Sequence, residues 1–407
     1  MNETQKNINV RWSYLIIGVL SMMFAGVLYA WSILKSPLSA EFGWSTSALA
    51  LNFTLAMSFF CIGGLLGANL AKKTGHRITL IIAGLLSFLG FSLTAALSGT
   101  SVGMLYITYG VLAGLGIGIS YNVVITTVST WFPDKKGLCS GCLMMGFGAS
   151  ALILGNAANA MFHSELGWRT TYVILGIALC IILIMAGLLL KKPESSMNLP
   201  QPKAAKNTRT ENFEAVDYTS VQMLRRASFW MAFICISFLA AVGSSVISFA
   251  KDLALSVNAA ESLAVTLVGV LSICNGLGRI LIGIIFDLIG RRRTMLFANV
   301  LTICAAGITL LAVTIGSLPL CIAGLCLTGI SYGFCATITA AFTSSFFGMK
   351  YFSTNMAFMT FNAMAASFIA TLSNRVLEAT GGYTSTFLML LAMTFVSLIL
   401  NIIIRKP

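Results

Sequence analysis

One arginine lies inside a stretch that is apolar enough for a lipid bilayer. Residues 272–293 read SICNGLGRILIGIIFDLIGRRR, and Arg279 stands about three helical turns before the basic cluster at the end of this stretch. A charged side chain in hydrocarbon is costly, so it normally faces a bundle interior or an aqueous cavity and marks a functional site. A guanidinium group donates two parallel hydrogen bonds to a carboxylate. We therefore predict that Arg279 binds an anion.

The helix face around Arg279 is mostly small and neutral. Its members recur at intervals of three or four, which is the spacing of one helix face: Ser272, Gly276, Arg279, Gly283 and Asp287. Asn275 lies one turn before the arginine. The structural alternative to a ligand is an ion pair with another helix, but no Asp or Glu lies in the middle of an apolar run. The charge is thus expected to stay unpaired until an anion arrives.

Aromatic and polar residues in three other apolar runs could complete such a site. The motif GISYN holds Tyr121 and Asn122, and the motif GISYG holds Tyr332 at the matching depth. A buried tyrosine hydroxyl needs a partner in any case, so each residue is either a ligand or a structural donor. In GVLYAW, Leu28 offers an apolar wall, and Tyr29 either faces the cavity or anchors its helix near the membrane surface.

The elements that must position these residues are membrane helices. The sequence is 57% hydrophobic and only 9% charged, against about 25% charged residues in a typical soluble domain. Apolar runs of about 20 residues predict membrane spans. Twelve occur, at 12–34, 46–71, 77–98, 102–131, 137–161, 169–190, 228–250, 260–289, 294–313, 317–346, 351–374 and 383–404. The first is too long for a signal peptide, so we expect an uncleaved helix.

The positive charge follows the predicted topology. With both termini in the cytoplasm, 20 of the 25 Lys and Arg residues fall in cytoplasmic segments, four fall in outer segments, and Arg279 is left over. Cytoplasmic loops collect Lys and Arg, so the net charge of +13 indicates membrane topology rather than a nucleic-acid partner. We expect a multi-pass protein of the cytoplasmic (inner) membrane in contact with the lipid bilayer.

The cysteines and histidines give no metal or redox signature. Of the ten cysteines only Cys139 and Cys142 show CxxC spacing, and no second pair accompanies them. His76 and His163 fall on opposite sides of the predicted membrane. Small packing residues are the better interpretation of the cysteines, and we expect no cofactor and no metal.

The chain divides into two similar parts. Residues 191–226 are the only long polar stretch and predict a flexible linker that ends in a short interfacial helix around VQMLRR. It separates an N-terminal six-helix half, 1–190, from a C-terminal six-helix half, 227–407. GLLGANLAKKTGHRITL matches GRILIGIIFDLIGRRRTML with Gly75 opposite Gly290, and GISYN matches GISYG. Such repeats are typical of transporters that hold substrate near the membrane midplane.

The loop after the eighth span predicts a gate. GIIFDLIGRRR joins Asp287 to the basic residues Arg291 and Arg292. Asp287 is expected to pair with these arginines or with a helix end while the cytoplasmic side is closed, and to release them when this side opens. Ala71 stands at the matching place of the first half, so the latch is absent or formed differently there.

These motifs carry a resemblance to the major facilitator superfamily over essentially the full chain. GIIFDLIGRRR is similar to the loop motif of that superfamily, and GANLAKKTGHR to a degraded copy of it. GVLYAWSILKSPLSAEFGWS, WFPDKKGLCSG, VQMLRRASFW and NGLGR are similar to stretches of the oxalate/formate antiporters and the related monocarboxylate porters. The resemblance implies an all-α membrane protein of twelve helices in two six-helix pseudo-repeats.

The resemblance also implies roles for residues, with two departures. Arg279 corresponds to the carboxylate-binding arginine of the eighth helix, and Tyr121 and Tyr332 correspond to cavity-lining aromatics. The oxalate exchanger has a lysine in its eleventh helix, whereas this chain has no Lys or Arg there and the matching place is about Ala363, which disfavours a dianion. Animal monocarboxylate transporters have an Asp four residues before the arginine, where this chain has Asn275. That proton-coupling carboxylate is therefore missing.

Together these observations predict a secondary active transporter of small monocarboxylates such as lactate, pyruvate or formate, and not an enzyme. The predicted substrate contacts are Arg279 for the carboxylate, Asn275, Tyr121, Asn122, Tyr29 and Tyr332 for orientation, and Leu28 and Phe361 for the apolar part. Proton symport is the first expectation, because uptake of an anion against an inside-negative potential needs compensation. Exchange of anions of the oxalate/formate type is the alternative, and we expect a monomer.

Other functional classes fit less well. An intramembrane enzyme would need a nucleophile–base pair or a metal constellation, and the apolar runs hold no central His or acid. A sensor usually carries an added signalling domain, whereas both tails here are short. A drug or sugar exporter of the same fold would more often hold an acid for cations or several amides for sugars.

Overall fold

The computed structural model describes residues 3–99, 101–132, 136–191, 193, 217–348 and 350–404, and this part of the chain is helical without any strand. Its α-helices are α1 Glu3–Ala25, α2 Trp31–Phe42, α3 Thr46–Ala95, α4 Gly103–Leu105, α5 Gly114–Ser129, α6 Lys136–Phe162, α7 Gly167–Leu189, α8 Ser220–Leu224, α9 Ala227–Ser256, α10 Glu261–Ile315, α11 Leu318–Phe347, α12 Phe352–Thr380 and α13 Tyr383–Ile403. A 3₁₀ segment, Gly26–Ala30, joins α1 to α2, and a π-helical segment, Tyr106–Ala113, joins α4 to α5. The predicted all-α fold is confirmed.

Ten helical stretches of the described chain are long and apolar enough to cross a membrane. One of them, Thr46–Ala95, contains both the second and the third predicted spans, while the eighth and ninth lie in α10 as Glu261–Phe286 and Arg292–Ile315. The eleventh predicted span corresponds to α12, which is not among the ten. The buried face of α12 is polar and includes Asn362, Ser367, Thr371 and Asn374.

Two glycines break the long helices at equivalent places of the two repeats. Gly75 in α3 has φ 83° and ψ 160°, and Gly290 in α10 has φ 73° and ψ 171°. Only glycine adopts this backbone region readily. The two glycines that align in the sequence repeat therefore make the same reversal between consecutive spans.

The matching GISYN and GISYG motifs also pack in matching ways. A Cβ atom at Gly118 of the first motif would clash with the Phe60 carbonyl of α3. A Cβ atom at Gly329, the matching glycine of the second motif, would clash with the Leu271 carbonyl of α10. The helix that carries each tyrosine thus lies directly against the helix that precedes the glycine break, which small residues permit.

The α6 and α10 helices bring residues from the two halves of the chain to one level of the bundle. Gly148 of α6 lies against the Ser272 carbonyl, and Gly269 of α10 lies against Leu152, so a side chain at either glycine would clash. This close contact sets the register that places the middle of α6 beside Arg279.

The predicted linker is described only at its ends. Residues 194–216 lie outside the described residues. The short helix predicted around VQMLRR is present as α8. Thr219 caps it: the Gln222 backbone N–H donates to Thr219 Oγ1 at 3.4 Å, and the Thr219 N–H donates to Gln222 Oε1 at 2.9 Å.

Candidate functional site

Arg279 lies on α10 with a partly buried side chain and neutral neighbours. Its Nε donates to Asn275 Oδ1 at 3.4 Å, and its Nη1 donates to the Tyr121 hydroxyl at 3.4 Å. On α11, Thr337 Oγ1 donates to the Arg279 carbonyl at 3.2 Å and fixes the backbone. The structure therefore brings two of the predicted site residues to the guanidinium group, one from each half of the chain.

The third acceptor beside the guanidinium group is the sulfur of Met144, on α6. Arg279 Nη1 contacts Met144 Sδ, and the Tyr121 hydroxyl donates to the same sulfur at 3.1 Å. Sequence reasoning missed Met144, because a methionine in an apolar helix shows no distinguishing pattern. Only the glycine-set register of α6 against α10 reveals it.

Aromatic rings surround these polar groups. Phe147 of α6 packs edge-on against Tyr29 at 5.0 Å and against Tyr121 at 5.3 Å between ring centroids. Phe60 of α3 packs edge-on against Tyr121 at 4.9 Å. Such T-shaped pairs stabilise a fixed ring orientation. The aromatic rings are apolar, so the tyrosine hydroxyls are the polar atoms that this aromatic layer contributes near Arg279.

Tyr29 and Tyr332 bring the two halves of the chain together at this site. Their ring centroids lie 6.4 Å apart, and Gly333, the residue after Tyr332, packs against the Asn275 carbonyl and the Arg279 backbone nitrogen. Both rings are more than nine-tenths buried. Five predicted residues thus form one cluster: Arg279, Asn275, Tyr121, Tyr29 and Tyr332.

The other predicted ligands lie apart from this cluster in the described contacts. Asn122 has its Cβ next to Gly64 of α3, and its buried Oδ1 has no hydrogen-bond partner. Leu28 is fully buried in the 3₁₀ segment. Phe361 is partly exposed on α12. No contact with Arg279 is found for these three, so their roles stay predictions.

The predicted cytoplasmic latch falls largely outside the described side chains. The backbone of Asp287 and Arg291 is helical, while their side chains lie outside the described residues, and Arg292 is exposed. The latch therefore stays a prediction.

An ion-pair cluster joins the halves at the end of the bundle that carries the loops 43–45, 163–166, 257–260 and 381–382, here called the distal end. Lys35 of α2 pairs with Asp252 of α9 at 2.8 Å, and its side chain is only 6% exposed. Lys251 pairs with Glu261 at 3.0 Å and donates to Asn159 of α6 at 3.5 Å. These contacts close the distal end.

Hydrogen bonds between α3 and α12 extend this closure toward the centre. The Ser47 N–H donates to Glu378 Oε1 at 2.7 Å. Deeper in the bundle, Thr54 Oγ1 donates to the Ser367 carbonyl and lies 2.7 Å from Thr371 Oγ1. Among the residues that the structure describes, the polar contacts between the halves lie at the level of Arg279 or on its distal side.

Metal-ligating residues do not cluster in the described chain. No group of three or more His, Cys, Asp or Glu side chains is placed to hold an ion there. The ten cysteines carry free thiols, and most are buried in the helix bundle. The chemistry of the central site is therefore that of Arg279 and its neutral neighbours.

Comparisons with known proteins are consistent with this architecture. A family model described as Major Facilitator Superfamily matches residues 14–371 and again 232–407. The chain is 29% identical over 347 residues to the uncharacterized MFS-type transporter YhjX of Escherichia coli (strain K12), covering 84% of this chain and 81% of that protein. It is 31% identical over 291 residues to the oxalate:formate antiporter of Oxalobacter formigenes, covering 70% and 65%. It is 25% identical over 364 residues to human monocarboxylate transporter 12, covering 83% and 69%.

Solved structures show the same fold at low identity. The nucleoside transporter NupG (D323A mutant) superposes with a TM-score of 0.72 at 13% identity, covering 98% of this chain and 100% of that one. A bacterial homologue of the lysosomal transporter Spinster, in an inward-facing and unoccupied conformation, gives a TM-score of 0.69 at 13% identity, covering 96% of each chain. The family and these relatives are transporters, not enzymes. With its apolar helices, its internal repeat and a family match that covers most of its length, the chain belongs to the Major Facilitator Superfamily and is a multi-pass membrane protein.

Proposed function

We propose that this protein is a secondary active transporter of small monocarboxylates, of the size of lactate, pyruvate or formate. The observation that carries the proposal is the setting of Arg279. Its described partners are an amide oxygen, a phenol and a thioether, and none of these is an anion. A guanidinium group inside a membrane bundle with only neutral partners favours an anionic ligand.

The valence of the substrate follows from the number of central cations. No Lys or Arg occurs between Lys350 and Arg375, so α12 brings no positive charge to the middle of the bundle. The two buried lysines of the distal end are already paired with carboxylates. One unpaired cation balances one carboxylate, which favours a monoanion over oxalate.

The names of the relatives support the same substrate class. One relative is an oxalate:formate antiporter, and others are monocarboxylate transporters. In our proposal Asn275, Tyr121, Asn122, Tyr29 and Tyr332 orient the substrate, and Leu28 and Phe361 contact its apolar part.

Proton symport is the proposed coupling, because an anion must be taken up against an inside-negative potential. Anion exchange is the second candidate, and the 31% identity to an oxalate:formate antiporter favours it. Acceleration of uptake by an inward acid gradient supports symport, whereas acceleration by internal substrate alone supports exchange.

Alternating access provides the proposed transport cycle. The halves 1–190 and 227–407 rock about the central site of a monomer in the cytoplasmic membrane, with both termini in the cytoplasm. The Lys35–Asp252 pair and the Lys251–Asn159 contact break when that end opens. The predicted contacts of Asp287 with Arg291 and Arg292 close the opposite end at the same time.

Substitution of Arg279 tests the proposal. The purified protein and its Arg279→Ala and Arg279→Lys variants are unfolded thermally with and without L-lactate, pyruvate or formate. We expect Arg279→Ala to fold with a Tm at least equal to that of the unchanged protein, because a buried cation with neutral partners is removed. Its affinity should fall roughly tenfold to a hundredfold, the contribution of a charge-assisted hydrogen bond.

Arg279→Lys serves as the geometric control. It keeps the charge and loses the two-pronged donor geometry, so it should also bind poorly. Undiminished substrate-induced stabilisation of Arg279→Ala would rule out the proposed role of this residue. A lowered Tm without ligand, together with normal stabilisation by ligand, would assign Arg279 to helix packing instead.

A further inference from the structure

We propose that the Met144 sulfur occupies the position of one substrate carboxylate oxygen in the empty transporter, so that substrate must displace this side chain to bind. The inference rests on the proposed function: the Met144 side chain competes with the substrate for the hydrogen-bond donors of Arg279 and Tyr121. Its consequence is that Met144 lowers the affinity for monocarboxylates.

The positions of the donors carry the inference. Arg279 Nη1 and the Tyr121 hydroxyl both approach Met144 Sδ, the hydroxyl at 3.1 Å, while Nη1 and the hydroxyl lie 3.4 Å from each other. One acceptor thus receives two donors that come from different helices. An anionic oxygen that accepts hydrogen bonds from both donors would lie within reach of both atoms, as the sulfur does, and would compete with the sulfur for them.

The chemistry of the thioether makes it a replaceable acceptor. A thioether sulfur is a neutral and weak acceptor, whereas a carboxylate forms a charge-assisted hydrogen bond with guanidinium that is roughly twice as strong as a neutral one. The sulfur therefore partly satisfies two donors in the empty site, and the substrate satisfies them better. Methionine is unbranched and flexible, so its side chain can swing away without moving the backbone.

The position of Met144 in the bundle connects its displacement to gating. Met144 belongs to α6 of the N-terminal half, whereas Arg279 belongs to α10 of the C-terminal half. The contact is one of the polar contacts that join the halves at the central level. When substrate replaces the sulfur, the direct link between α6 and Arg279 is lost and the substrate takes over that link.

The adjacent methionine offers a matched control. Met145 stands next to Met144 on α6 but packs on the backbone of Gly276, with its Cα 3.1 Å and its Cγ 3.3 Å from the position of a Cβ atom there. It is 36% exposed and is not among the contacts of Arg279. It has the same side-chain chemistry at a different helical angle.

The test compares dissociation constants for L-lactate, pyruvate and formate in the full-length protein and in three variants. Met144→Ala removes both the acceptor and the bulk, and we expect its Kd to fall roughly two- to tenfold, the range of one neutral hydrogen bond. Met144→Leu keeps the bulk and removes the acceptor, so its Kd should be no higher than that of the unchanged protein. Met145→Ala should leave Kd unchanged.

Each result bears on a specific claim. Weaker or equal binding by Met144→Ala, or weaker binding by Met144→Leu, would overturn the displacement proposal while the transporter proposal stands. Failure of both the unchanged protein and Met144→Ala to bind any of the three acids would overturn the proposed function and the displacement proposal together. An equal gain in Met145→Ala would show a general loosening of α6 and would also overturn the proposal.

Discussion

At the scale of single residues, the sequence predicted most members of the central cluster around Arg279, but it did not predict Met144. An arginine in an apolar run stands out in any sequence, because such charges are rare in membrane segments. The repeat pointed to Tyr121 and Tyr332, and the helical period pointed to Asn275. Met144 could not be predicted, since its position beside Arg279 depends on the angle between α6 and α10.

The hydroxyl of Tyr121 gives a prediction at this scale. It lies 3.4 Å from Arg279 Nη1 and donates to Met144 Sδ, so it is available to a carboxylate that replaces the sulfur. Tyr121→Phe should weaken binding of L-lactate, pyruvate or formate roughly two- to tenfold, the contribution of one neutral hydrogen bond. Titration of purified protein, followed by thermal stability, measures the change.

Tyr109→Phe is the matched control for this prediction. The Tyr109 hydroxyl is buried without a hydrogen-bond partner in the described chain, and its ring packs against Trp31 and Phe91. Removing this hydroxyl should leave the affinity unchanged. Equal affinity in Tyr121→Phe and the unchanged protein would show that the Tyr121 hydroxyl is structural.

At the scale of helices, the sequence predicted the number and order of the spans better than their breaks. Apolar runs locate a span because length and hydropathy suffice for that. They predict two spans in each of α3 and α10, but they do not show that the conformation of a single glycine makes the break between them. They also do not show the 3₁₀ segment Gly26–Ala30, which places Tyr29 beside Phe147.

Substitution of Gly75 and Gly290 tests whether their backbone conformation is needed for the breaks in α3 and α10. Gly75→Ala and Gly290→Ala should each lower the free energy of unfolding by about 1–3 kcal/mol, because no other residue adopts this backbone region without strain. A Cβ atom meets nothing within 4 Å at either site, so backbone strain is the expected cause. Thermal unfolding in detergent measures the loss.

Gly307→Ala provides the control, since Gly307 is helical and also has open space around its Cα. It should leave stability unchanged or raise it by up to about 1 kcal/mol, the difference in helix propensity between Gly and Ala. Equal stability of Gly75→Ala, Gly290→Ala and Gly307→Ala would contradict the assigned strain.

At the scale of the whole molecule, the contacts that close the distal end could not be predicted from the composition of the sequence. The lysines Lys35 and Lys251 were recognisable as residues of outer segments, but the pairing of Lys35 with Asp252 and the contact of Lys251 with Asn159 depend on how helices from both halves meet. Each lysine side chain is only 6% exposed, so removing its carboxylate partner would leave an uncompensated buried charge. The Lys35–Asp252 pair and the Lys251–Asn159 contact therefore hold one end shut until the halves rearrange, which suits a transporter.

Uptake into proteoliposomes tests the central claim of monocarboxylate transport most directly. Purified protein is reconstituted, an inward acid gradient is imposed, and entry of radiolabelled L-lactate, pyruvate and formate is measured with unlabelled oxalate or a sugar as competitor. We predict that at least one of the three monocarboxylates enters faster than into protein-free liposomes, and that oxalate competes poorly because one central cation balances one negative charge. Oxalate that outcompetes all three monocarboxylates, or entry of none of the three above the rate in protein-free liposomes, would contradict the account.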